Sequence, residues 1–150
     1  MFLKFLEYFG RKKIILDRGA SHPEYDKAKP WIARYYVLFR KRPRWFPFNI
    51  IIHEMLANDH GEGVHNHTCP YITIIIKGGY WETTSKGKFW RPPGYIGFRS
   101  ADHLHRVDLK PNISTMTIFI PGPFGLRKNK RTDYKTNFKG EKKSWLKDIG

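Results

Sequence analysis

Apolar residues recur at helical spacing at the very start of the chain. Phe2, Phe5, Leu6 and Phe9 fall on one face and predict a short helix capping the core. Ile14-Ile15-Leu16 reads as a short strand, and Gly19, Ser21, Pro23 and Pro30 mark residues 17–30 as a loop. From Trp31 onward the pattern becomes that of a β protein. Strands are predicted over 31–39 and 48–55, the second apolar enough near its centre to be buried on both faces. Residues 58–63 are polar and glycine-rich and read as a loop, after which Val64-His65-Asn66-His67 restarts extended chain. Further strands are predicted over 71–76, 80–84, 89–91, 95–98, 105–109 and 114–120. Between them stand Gly78-Gly79, Ser85-Lys86-Gly87-Lys88, Pro92-Pro93-Gly94, Ser100-Ala101-Asp102 and Pro111-Asn112. Short strands at regular spacing with Gly/Pro punctuation predict an all-β sandwich or barrel. After Pro121-Gly122-Pro123 the pattern decays into an irregular tail, with Trp145, Leu146 and Ile149 as late apolar anchors.

At 150 residues the chain has the size of one ordinary domain, and 40% hydrophobic and 16% aromatic residues exclude a disordered one. The expected organisation is a single domain over 1–150, with a barrel core at about 31–123, a basic N-terminal extension at 1–30 and a basic C-terminal tail at 124–150. No stretch reaches the roughly 20 apolar residues of a membrane span, and the apolar N-terminus lacks a cleavage site. The lone cysteine, Cys69, has no partner for an internal disulfide. The expected location is therefore cytoplasmic, and the sequons at Asn66 and Asn112 carry no weight there.

Charge and histidine divide the chain differently. Residues 1–45 carry 12 Lys/Arg against 4 Asp/Glu, residues 46–120 carry 7 against 6, and residues 121–150 carry 9 against 3. The flanks hold the net charge of +15, and the middle is almost neutral. Six of the 7 histidines lie in that neutral middle, with His22 outside it. In His65-Asn66-His67, residues i and i+2 of an extended segment project to one face, placing two imidazoles together. A second such pair is His103-Leu104-His105, which a barrel can fold back on the first. Paired neutral imidazoles are half of a site for Zn, Fe, Ni or Cu. Clustering on a surface loop would explain the same pattern without a metal.

These residues resemble the metal motifs of the cupin superfamily. His65-Asn66-His67 fits the first motif, Gly78-Gly79 its glycine turn, and Pro92-Pro93-Gly94 followed by His105 the second motif. His105 suits the third ligand position better than His103, because it opens a strand through Arg106-Val107. The likeness runs through 35–54, 65–82, 93–98, 104–109 and 117–123, and is nearest to small single-domain phage and bacterial cupins without assigned activity. It implies an all-β, double-stranded β-helix (jelly-roll) barrel. It also implies one divalent metal ion, Fe(II), Zn, Ni or Mn, held by His65, His67 and His105. Where many cupins carry a glutamate ligand, this chain has Ile72, or Thr73 if the spacing is stretched. That departure makes the site similar to the three-histidine type of cysteine dioxygenases, with Ile72 expected to face apolar core. The resemblance further implies an oxidoreductase, dioxygenase-like, acting on a small anionic substrate, and a homodimer in which the apolar N-terminus takes part.

His53, His60, Tyr80, Tyr95 and His103 are candidates for orienting a ligand imidazole through its second nitrogen. For each of them singly, packing or solvation is the leading reading and the orienting role the alternative. Cys69 falls two residues after His67, on the same face if the strand continues, and as a buried free thiol it needs no further role. Glu82 and Asp102 fit a role at the site and a role as salt-bridged surface groups equally. In the flanks, Arg40, Lys41, Arg42 and Arg44 beside Trp45, and Arg127, Lys128, Lys130 and Arg131, form basic clusters able to meet a polyanion or an acidic protein. A non-catalytic structural or interaction protein, associated with a virion or nucleoprotein through these flanks, is the competing reading. A charge run is by default a solvated face, and the clusters contain no nucleic-acid-binding motif.

Overall fold

The structure, a computed structural model, describes residues 1–17, 25–59 and 64–128, together with the backbone of two short segments, 135–136 and 142–143. His22, His60, Lys130 and Arg131 lie outside the described residues. The expected helix is present as α1 (Phe2–Tyr8). Its burial differs from the helical-spacing expectation: Leu6 is buried and Leu3 packs beside it, whereas Phe2, Phe5 and Phe9 are more than half exposed.

Nine strands follow: β1 (Lys12–Leu16), β2 (Pro30–Tyr36), β3 (Ile51–Met55), β4 (Tyr71–Lys77), β5 (Tyr80–Thr84), β6 (Gly87–Arg91), β7 (Ile96–Arg99), β8 (Arg106–Leu109) and β9 (Thr115–Pro121). In the tail, β10 (Lys135–Thr136) and β11 (Lys142–Lys143) pair as a two-residue antiparallel ladder. The main strands form two antiparallel sheets, one of six strands in the order β1-β2-β3-β9-β4-β7 and one of three in the order β6-β5-β8. Neighbours that are distant in sequence, such as β3 beside β9 and β9 beside β4, give the jelly-roll topology.

Period-two alternation gives the large sheet two different faces. Ala33 and Tyr35 on β2 and Ile52 on β3 pack with Leu6 of the helix. Ile32, Arg34, Ile51, His53 and Met55 line a cavity on the opposite face. β3 is thus buried on both sides, at Ile51, Ile52 and His53, as its continuous apolar run predicts. On β4 the inward positions are Tyr71, Thr73 and Ile75. Ile75 joins Tyr80 of β5 and Val107 of β8 in a second cluster that closes the space between the sheets.

The β4–β5 turn needs its glycines. Gly78 and Gly79 have φ of 85° and 94°, in the left-handed region. A Cβ on Gly78 would stand 2.5 Å from the Ser114 carbonyl oxygen. The tight turn swings β5 out of the large sheet and into the small one, which carries Tyr80 to the cavity wall and Glu82 behind the His105 ring.

Candidate metal centre

His65 and His105 meet because their backbones pair. The His65 N–H donates to the His105 carbonyl at 2.8 Å and the His105 N–H returns the bond at 3.0 Å, an isolated antiparallel bridge. The His67 N–H donates to the Ala101 carbonyl, tying the same segment to the turn before His105. Two residues along, the His67 side chain falls on the face of His65. The ring centroids of the three histidines are then 4.9–5.2 Å apart, and Nε2 of His67 lies 3.0 Å from Nε2 of His105. One nitrogen from each ring lies within 4.8 Å of the others.

The groups behind the rings decide which nitrogens face inward. Glu82 Oε1 lies 3.2 Å from Nδ1 of His105, and Asp59 Oδ2 lies 3.5 Å from Nδ1 of His65. An ionised carboxylate accepts, so Nδ1 of His105 carries its proton and Nε2 keeps its lone pair toward the cluster. Burial, then the neighbouring His65 and His105, push the His67 imidazole well below its ordinary 6.5 and keep it neutral. Zinc holds imidazole nitrogens tetrahedrally at about 2.0–2.1 Å, which sets donor nitrogens about 3.3–3.4 Å apart. The 3.0 Å between His67 and His105 is a few tenths of an ångström short of that spacing, a gap that small ring rotations cover. Neutral imidazoles backed by carboxylates are the donor chemistry such an ion takes, and the residues present fit it.

Two residues at the centre depart from a sequence expectation. Ile72 does not face the core; it is half-buried on the outer surface of β4 beside Phe98 and Phe48. The inward neighbour is Tyr71, whose hydroxyl lies 3.1 Å from Nε2 of His105. The second is Glu82, which is 1% exposed rather than a surface group. Arg91 Nε donates to its Oε2 at 2.8 Å, and Arg99 donates from Nε to Oε1 at 2.9 Å and from Nη2 to Oε2 at 2.6 Å. Burial works to raise this carboxyl. The hydrogen bonds from His103, His105 and Arg99 outweigh it and hold Glu82 ionised, well below the usual carboxylate range. In turn Glu82 raises the Arg99 guanidinium above its ordinary value.

The other candidates are spread around the site. His103 Nε2 lies 3.4 Å from Glu82 Oε1, so with His105 and Glu82 it forms a second group of donors. Both guanidiniums already occupy that carboxylate, which makes the group an ion-pair network. Tyr95 accepts a hydrogen bond from Arg99 at 2.8 Å and lies under the Arg91 guanidinium, against the two cationic partners of Glu82. Tyr80 is buried, lines the cavity and hydrogen-bonds Thr73. His53 is buried against Phe119, with ring centroids 4.7 Å apart. Cys69 is buried and lines the cavity on the face of His67. Asp102 accepts from the Lys128 backbone N–H at 3.0 Å.

Of the basic candidates, Arg40, Lys41 and Arg44 are exposed beside Trp45. Arg42 is not part of that surface. It donates to the carbonyls of Pro121 and Gly122 at 3.0 and 2.7 Å, lies 3.9 Å over the Phe124 ring and lines the cavity.

The cavity enclosed by these groups has a volume of about 310 Å³. Among the described residues no helix is long and apolar enough to cross a membrane. No protein-family model matches the chain, and no curated protein matches it in sequence. Solved structures do match its fold. A cupin-2 domain protein from Rhodospirillum rubrum aligns at a TM-score of 0.53 and 12% identity, over 74% of this chain and 69% of that one. The DMSP lyase from Ruegeria pomeroyi aligns at 0.54 and 14%, over 74% of this chain and 55% of the lyase. The polyketide cyclase from Streptomyces resistomycificus aligns at 0.50 and 13%, over 61% of this chain and 64% of the cyclase. The chain thus spans only part of each enzyme's length. The fold is the cupin fold.

Proposed function

From a cupin barrel with three imidazoles facing one small cavity, we propose that this protein binds a single divalent ion through His65, His67 and His105. We further propose that it acts there on a small organic anion. One observation carries the reading: the three rings converge with one nitrogen of each within 4.8 Å of the others, and the Nδ1 atoms of His105 and His65 face Glu82 and Asp59. A bound divalent ion would supply a Lewis acid with positions open beside its three neutral ligands.

The chain's own residues do the remaining work. Glu82 keeps the proton on Nδ1 of His105 and is itself held in place by Arg91 and Arg99. The Tyr71 hydroxyl stands against the same ring and offers a hydrogen bond to whatever occupies the centre. The apolar walls, among them Ile51, Val107 and Phe119, limit the water that enters. An oxidoreductase of the dioxygenase-like kind is the finer form of this proposal; lyase and cyclase chemistry belongs to the structural neighbours. The test is metal content. Full-length protein purified without a histidine tag should carry, or take up after chelation and exchange, one divalent ion per chain. Uptake below about a tenth of an equivalent would end the proposal.

A further inference from the structure

On the cavity's inner face, Arg34 of β2 stands directly opposite His53 of β3 in the strand register. The guanidinium Nε and the imidazole Nε2 are both buried, and neither has a hydrogen-bond partner among the described residues. An unmade bond at a buried polar atom is costly, and most so at a charged one. The other charged groups in or beside the cavity are already engaged. Arg42 is spent on the carbonyls of Pro121 and Gly122. Glu82 is taken by Arg91 and Arg99. Asp59 accepts from the Val107 N–H at 2.7 Å and faces His65. Among the described residues no carboxylate pairs with Arg34, which leaves its guanidinium available to the charge of a ligand.

We propose that Arg34 and His53 form a carboxylate-binding subsite, and that the cavity's ligand is a small monocarboxylate whose other end reaches the three histidines. The inference rests on the metal reading for what happens at the histidines, and not for where the carboxylate sits. Burial, and then the charge of Arg34, push the His53 imidazole well below its ordinary 6.5, so at neutral pH it is uncharged. The subsite therefore offers one positive charge, the planar guanidinium fork and a single ring N–H. A carboxylate matches this set in charge and shape, whereas a phosphate dianion would leave one charge unmatched. Phe119 links the subsite to the centre, its ring centroid lying 4.7 Å from His53 and 6.1 Å from His67. The volume of about 310 Å³ is at the small end of ligand pockets, and Ile32, Ile51 and Met55 suit a short hydrocarbon body.

The test uses full-length, metal-stripped protein, titrated with butyrate, butyramide and inorganic phosphate and followed by NMR shifts of the cavity residues. Butyrate should bind, and butyramide roughly tenfold or more weaker, since only the carboxylate satisfies the guanidinium. Arg34→Gln should lose roughly tenfold or more in butyrate affinity, and Arg34→Lys, which keeps the charge but not the fork, should fall between. The proposal is overturned if butyrate and butyramide bind equally, if phosphate binds tighter than butyrate, or if Arg34→Gln binds as the parent does. Should Arg34→Gln fail to fold, the amide comparison on the parent and the Arg34→Lys variant still decide. Because the protein is metal-free throughout, a chain that takes up no metal yet binds butyrate in this pattern loses the metal reading and keeps the subsite.

Discussion

Replacing His67 with alanine should lower the affinity for a divalent ion by more than about 100-fold, since loss of a mere supporting group already costs about 10–100-fold. His67 is the cleanest ligand to remove. Its Nε2 faces His105 at 3.0 Å, and it takes no part in the Glu82 ion pairs, so the barrel should keep its stability. His105→Ala should lose metal equally but would also free Glu82 from one partner, mixing two effects. His22→Ala, outside the histidine-rich middle of the sequence, should bind as the parent does. Competition titration against a chromophoric chelator measures all three. A His67→Ala protein within threefold of the parent would remove this residue from the centre.

Glu82→Gln should be the most damaging single change outside the ligands, costing about 3–5 kcal/mol of stability in urea unfolding. Glu82 lies in the seam between the sheets, on β5, and receives Arg91 from β6 and Arg99 from β7. The amide carries no charge, leaving the 11%-exposed Arg99 side chain without its counter-ion, while the more exposed Arg91 recovers part of its hydration. The pH dependence has a definite sign. Glu82 is held below its ordinary value of 4.5 in the folded chain, so its stabilisation is complete above that value. It declines as the pH falls below it toward the lower folded value. The parent should therefore lose stability below about pH 4.5 along a slope that Glu82→Gln lacks. Equal stabilities for parent and variant at pH 7 would contradict the role given to this carboxylate.

What the sequence could and could not reveal follows from the range of the signals. The strands from Trp31 to Ile120 were legible because alternation and Gly/Pro punctuation are local, and the inward pairing of His65 with His67 is a two-residue matter. The Ile72 expectation failed for a reason also present in the sequence. Positions 65, 67, 69, 71, 73 and 75 share one parity, and the buried Cys69, Tyr71, Thr73 and Ile75 continue the face that the histidines open. Extending that parity would have found Tyr71. No comparable signal marked Glu82 or Arg34. Glu82 becomes a buried anion only when β6 and β7, in different sheets, bring it two guanidiniums, and such convergence is set by topology. Arg42 looked like part of a basic run because charge is visible in sequence, while the carbonyls of Pro121 and Gly122 that hold it are 79 and 80 residues away. The helix failed in detail because helical spacing names an apolar stripe without saying how much of it a narrow sheet edge can cover. Leu6 found a place between Ala33 and Tyr35, and Phe2, Phe5 and Phe9 did not.

The most direct measurement of the central claim is the X-ray absorption spectrum of the zinc-loaded, tag-free chain. Coordination by His65, His67 and His105 predicts three imidazole nitrogens at about 2.0–2.1 Å, with oxygen donors completing the shell and no sulfur. A spectrum with fewer than three imidazoles, or with a zinc–sulfur distance of about 2.3 Å that brings Cys69 into the shell, would contradict it.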